Sequence, residues 1–217
     1  MEIRFGERPL DQTVAAAGLL RRLTGLLLAQ EHPQRVVAEM LDRLGNWERE
    51  LTATAARNFA PRVGAELDDG DRRVYLDHAF DIGSYNPCFP EYGFETTDPA
   101  VAAGRVVFPI AYEGPPGLVH GGFLGVFFDC VVQQHNCAVG RTGKTRSLTV
   151  TYRRPTPILA ELSFTIERTD TGSGIESVAV LRHDTELLCE ARIETVAASP
   201  DRLRGARYGR RRVRDRA

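Results

Sequence analysis

The chain has 217 residues, with 28 Lys+Arg set against 29 Asp+Glu for a formal net charge of −1. At 42% hydrophobic residues it is too apolar to stay unfolded, and its 20 glycines and 12 prolines follow no collagen-like period, so it is a folded globular protein. The length fits one domain with an extension, or two small domains, with core enough to fold without a disulfide or metal staple.

Residues 9–60 are expected to be helical. Pro9 suits a first turn, and Leu19, Leu20, Leu23, Leu26 and Leu27 recur at helical spacing. His32-Pro33 breaks the pattern, and Val36, Met40, Leu44, Trp47 and Leu51 then form a second apolar stripe flanked by Glu39, Asp42, Arg43, Glu48 and Arg49. Both helices are expected to cover a neighbouring apolar surface, with lipid-surface or partner docking as the alternative. The apolar stretch 14–29 is cut by Arg21 and Arg22 and falls short of the roughly 20 residues of a membrane span; no signal peptide is legible either.

From residue 72 the texture changes to short β-branched and aromatic runs separated by Gly and Pro. Segments 101–112, 147–152, 162–168, 175–182 and 187–196 are expected to be strands of one antiparallel sheet, with turns at 171–174 and 183–184. Between the first two lies 121–138, apolar on every face over its first three turns, which predicts a buried helix. The outline is α+β: a sheet around one long helix over 71–200, a helical extension over 1–70, and a tail over 201–217. The tail holds eight arginines against Asp201 and Asp215, a surplus of six positive charges that leaves about −7 for the rest. It is expected to be disordered, and having only Tyr208 to stack on bases it does not suggest nucleic-acid binding.

The four cysteines, Cys88, Cys130, Cys137 and Cys189, form no CxxC pair and have no histidines at zinc spacing, which points to a reduced, cytoplasmic protein without a metal. His32, His78, His135 and His183 are expected to be surface or turn residues. The run 140–145 imitates the end of a phosphate-binding loop, but Ala138 stands where the first glycine belongs and the segment leads from helix to strand, the reverse of what that loop needs.

The chemistry concentrates in Gly114-Pro115-Pro116-Gly117-Leu118-Val119-His120-Gly121-Gly122, which runs into the helix. Gly121 and Gly122 put unencumbered N–H groups at a helix N-terminus, where free donors and partial positive charge can stabilise a polarised carbonyl oxygen; a tight turn that needs glycine only for space is the alternative. Asp129 is the only charged residue between His120 and Arg141, and a carboxylate in so apolar a helix is costly unless it is paired or faces a cleft. Eight residues of helix put Asp129 roughly 12 Å beyond Gly121, too far for both to act on one carbonyl from the same chain. If both serve one reaction, the carboxylate comes from a second subunit, which predicts a two-fold homodimer, with a dimer of dimers as a further option.

The GPPGLVHGG run, an Asp nine positions after the His, and the following Ser147-Leu148-Thr149-Val150-Thr151-Tyr152-Arg153-Arg154-Pro155 strand together resemble hotdog-fold acyl-CoA thioesterases of the 4-hydroxybenzoyl-CoA thioesterase superfamily, in the branch of the phenylacetate-pathway and thioesterase-superfamily-member types. The resemblance covers about residues 80–197. It implies hydrolysis of an acyl-CoA to free CoA and a carboxylic acid, with Asp129 as base or nucleophile, Gly121 donating to the thioester oxygen, His120 positioning or polarising, and Thr145 assisting the carboxylate. It implies that Gly122, Thr151, Arg153, Arg154 and the Ser173-Gly174-Ile175 turn lie along coenzyme A, which is part of the substrate, so that no separate cofactor is needed. One departure is Gly114, where some relatives carry an Asn or Gln. Two other readings stay open: a non-catalytic acyl-CoA binding module, and an enoyl-thioester hydratase or dehydratase.

Overall fold

The computed structural model describes residues 4–5, 9–54, 73–74 and 81–198. The early leucine-rich stretch forms helix α1 (Asp11–Leu28), and the stripe after Pro33 forms α2 (Arg35–Thr54). Residues 55–60 of the expected helical region, His78 and the 201–217 tail lie outside the described residues. Arg21 of α1 is buried. Its Nε donates to the Phe89 carbonyl at 2.7 Å and its Nη2 to the Asn86 carbonyl at 3.1 Å, with further bonds to the Gly83 carbonyl and the Glu91 carboxylate. Three carbonyls and an anion satisfy a guanidinium, which presents several donors in one plane, so α1 is held by a polar anchor as well as by apolar contact. Strand β1 (Arg4–Phe5) pairs in parallel with β2 (Arg73–Val74), and α3 (Ile82–Tyr85) is a single turn beneath α1.

The rest is one six-stranded antiparallel sheet with the order β3-β4-β6-β7-β8-β5, built from β3 (Glu91–Thr97), β4 (Val101–Val107), β5 (Gly143–Tyr152), β6 (Glu161–Asp170), β7 (Ile175–His183) and β8 (Glu186–Ala197). The sequence did not announce β3, whose centre is Gly93 and whose inward residues are few. The strand expected over 101–112 stops at Val107. Pro109 has no N–H to continue the ladder, and Ile110–Tyr112 turn as a 3-10 helix. The β6–β7 and β7–β8 turns fall where Gly172 (φ 80) and Asp184 (φ 50) enter the left-handed region.

Helix α4 (Gly121–Ala138) lies on one face of the sheet, packed against β5, β7 and β8. Phe127, Phe128 and Val131 meet Leu162, Phe164, Ile166, Leu181 and Ile193 in a core of fully buried side chains, with Phe127 and Phe164 edge to face at 5.5 Å. This is the α+β hotdog arrangement expected from the sequence. The helix is not buried all round, however. Ten of its residues are buried, but Phe123 and Val126 remain 39% and 47% exposed, because the sheet of one chain covers only part of its circumference. His135 reverses its expectation, being wholly buried near the end of α4 with Nε2 2.7 Å from the Asp98 carbonyl. A carbonyl only accepts, so Nε2 carries the proton, and burial holds the ring below its ordinary pKa and therefore neutral.

Candidate functional site

The loop before α4 is held in place by its own backbone. Val119 N–H donates to the Thr156 carbonyl at 2.8 Å, His120 N–H to the Tyr112 carbonyl at 2.9 Å, and Gly117 N–H to the Glu113 carboxylate at 2.6 Å. His120 is the N-cap of α4, and its Nδ1 accepts from Gly122 N–H at 3.1 Å. That bond uses the Gly122 amide, which sequence reasoning had offered to the substrate. The Gly121 N–H makes no hydrogen bond among the described residues, so it is the donor left over at the positive end of the helix. Gly114 is glycine for space, since a Cβ there would sit 3.0 Å from the Cα and Cβ of His120. A longer side chain at this position would require His120 to shift by a few tenths of an ångström.

Tyr152 was not among the expected site residues. Its hydroxyl donates to the Gly121 carbonyl at 2.8 Å, and its ring is so close that a Cβ on Gly121 would meet Cζ and the hydroxyl at 3.0 Å. A cleft of about 390 Å³ opens beside this contact, lined by Leu118, Gly121, Leu124, Tyr152, Arg153 and Arg154. The two arginines differ. Arg154 pairs with Glu186 at 3.3 Å, whereas Arg153 has no carboxylate partner among the described residues.

Further along α4, Asp129 is half-buried and its Oδ1 accepts from the Thr145 hydroxyl at 2.6 Å. Strand alternation alone would not bring Thr145 there. Leu148, Val150 and Tyr152 face α4, so the even-numbered positions should continue that face and Thr145 should point away. A β-bulge between Thr145 and Ser147 inserts the extra residue that reverses the phase and turns Thr145 toward the carboxylate.

The expected residues thus fall into two groups. Gly121, Gly122, His120, Thr151, Arg153 and Arg154 gather at the start of α4 and the end of β5. Asp129, roughly 12 Å along the helix from Gly121, and Thr145, toward the other end of β5, form a second group and do not line the cleft. The Ser173-Gly174-Ile175 turn belongs to the second group, because Ile175 pairs with Thr195, which pairs with Thr145. Ile175 itself points into the core, so only its backbone is available to a ligand. The buried cysteines are unsuited to nucleophilic work: burial pushes the thiols of Cys137 and Cys189 up to about 12. Among the described residues there is no group of His, Cys, Asp and Glu able to hold a metal, and no helix long and apolar enough to cross a membrane.

No protein-family model matches the sequence, and no curated protein matches it. Solved structures do. The crystal structure of a thioesterase superfamily protein matches with 25% identity and a TM-score of 0.69, over 90% of this chain and 96% of its own. That span includes helical residues ahead of the sheet. A hypothetical thioesterase from Streptococcus pneumoniae TIGR4, crystallised with coenzyme A, matches over 49% of this chain and 88% of its own at 16% identity and a TM-score of 0.47. A phenylacetic acid degradation-related protein from Ralstonia eutropha JMP134 matches over 48% of this chain and 83% of its own at 21% identity and a TM-score of 0.44. The chain has the fold of the thioesterase superfamily.

Proposed function

We propose that the chain is an acyl-CoA thioesterase whose active site is completed by a second copy. The observation that carries this reading is the separation, within one chain, of an unused helix-start amide beside a cleft from a Thr-supported carboxylate outside it. Neither half suffices alone. Strand β5 is the edge of the sheet and runs antiparallel to α4, and the uncovered stripe Gly122, Val126 and Asp129 lies along the same helix. Antiparallel pairing of β5 with its counterpart about a two-fold axis would bring the Asp129 end of one chain to the Gly121 end of the other, and would cover that stripe.

In such a site the thioester oxygen accepts from the Gly121 N–H and builds negative charge at the helix N-terminus. Asp129 takes a proton from the attacking water, Thr145 holding one carboxylate oxygen so that the other faces the water. The tetrahedral intermediate collapses with cleavage of the C–S bond, and the CoA thiolate leaves and takes the proton that Asp129 had accepted, which restores the carboxylate. Arg153, the arginine without a carboxylate partner among the described residues, serves the CoA phosphates.

Asp129→Asn should lower thiol release from acyl-CoAs by two or more orders of magnitude with the circular dichroism unchanged, since the amide cannot accept the water's proton. Near-native turnover by this variant would sink the assignment of roles. If the native protein binds acyl-CoA tightly and releases no thiol, the chain is a binding module instead.

A further inference from the structure

Helix α2 buries none of its 20 residues, yet its sequence is that of a helix with a partner. Val37, Met40, Leu44, Trp47, Leu51 and Thr54 alternate at spacings of three and four, the a and d positions of a seven-residue repeat. The opposite face carries Arg35, Glu39, Asp42, Asn46 and Arg49, with Arg35 paired to Glu39 at 3.4 Å and Arg49 bonded to Asn46. Trp47 and Leu51 on the apolar seam are left 54% and 69% exposed.

We propose that α2 pairs antiparallel with α2 of a second copy of this chain. With Leu44 facing the partner's Trp47 and Met40 facing the partner's Leu51, the largest side chain of each seam meets a smaller one. A parallel pair would instead set Trp47 against the partner's Trp47 in a single layer, which overfills it. In the antiparallel register Arg43 lies beside the partner's Glu50, and by symmetry Glu50 lies beside the partner's Arg43, so two attractive pairs lie along one flank of the seam. The pairing is self-complementary and closes on itself, as a two-fold contact must. A seam of under three repeats is marginal for free helices. Here each helix is already formed as part of a folded chain, which removes part of the ordering cost of pairing. This inference does not depend on the proposed reaction.

Trp47 is the only tryptophan, so its fluorescence reports the seam directly. In the full-length protein at micromolar concentration, acrylamide should quench Trp47 severalfold less than it does in Leu44→Glu, whose circular dichroism should show the sheet intact. Arg43→Glu and Glu50→Arg should each raise quenching, because each sets like charges together at both symmetry-related contacts. Chains of the two variants co-expressed should regain protection, since each mixed pair restores both attractions. Equal quenching in the native protein and Leu44→Glu overturns the pairing, and a co-expressed mixture that regains nothing overturns the register. Protection that arises only on adding anionic lipid vesicles would overturn the proposal in favour of a membrane surface.

Discussion

Glycine 121 combines two requirements in one residue. Its amide is the uncommitted donor at the start of α4, and its missing side chain is what lets the Tyr152 ring close over the helix start and bond its carbonyl. An added methyl group would force Tyr152 aside by a few tenths of an ångström and tilt the amide with it. Gly121→Ala should therefore cost about 10- to 100-fold in turnover but less than about 1 kcal/mol in stability, because the Tyr152 side chain is partly exposed and can move. Removing the ring should be non-additive with this change: Gly121→Ala/Tyr152→Ala should be no slower than Gly121→Ala alone, measured by thiol release in a double-mutant cycle. Strictly additive losses would show that the two residues act separately. The Gly-Gly pair was legible in the sequence as a helix-start donor, and Asp129 as a lone charge in an apolar helix. That only one of the two amides is uncommitted was not legible, because it depends on which way the His120 ring turns.

At the scale of elements, α1 is tied to the body of the fold through Arg21 and through contact with α3 and the Ile110–Tyr112 turn. Replacing Arg21 by Met leaves the Gly83, Asn86 and Phe89 carbonyls without this donor, a loss of about 1–3 kcal/mol. Hydrogen exchange should show the amides of α1 opening first in this variant while those of β6 and β7 keep their protection; simultaneous loss in both would mean that α1 is an integral part of the core. Most elements were legible because helices and strands print their periods locally, and five of the six sheet strands were expected within a few residues of their ends. The exceptions have local causes: β3 carries a central glycine, and β4 is cut short by Pro109. The role of Arg21 was hidden, since in the sequence it reads as a charge that interrupts an apolar run.

For the molecule as a whole, pH acts on the junction between the N-terminal helices and the sheet. Burial raises Asp81, beside α3, from its ordinary 3.8 to about 6. Its contribution to stability is therefore present below about pH 3.8 and is lost as pH rises through about 6. Asp81→Asn should gain on the order of 1 kcal/mol at pH 7.5, after allowance for solvent screening, and nothing near pH 3.5, as read from denaturant midpoints. A gain of equal size at both values would rule out titration as its cause. His135 acts in the opposite sense, because a ring held neutral by burial costs stability as pH falls through its ordinary 6.5. The sequence by itself determined the class of fold, the order of most elements, the approach loop with its glycines, and the carboxylate too far along the helix to meet them. All of these are properties of short stretches of chain, carried by backbone sterics, local period and helix rise. Tertiary structure decided the order of strands across the sheet, the bulge that turns Thr145 to Asp129, the burial of Arg21 and His135, and the uncovered stripe on α4. Each of these is a contact between residues distant in the chain, and its free energy exists only once a particular pairing and register have formed.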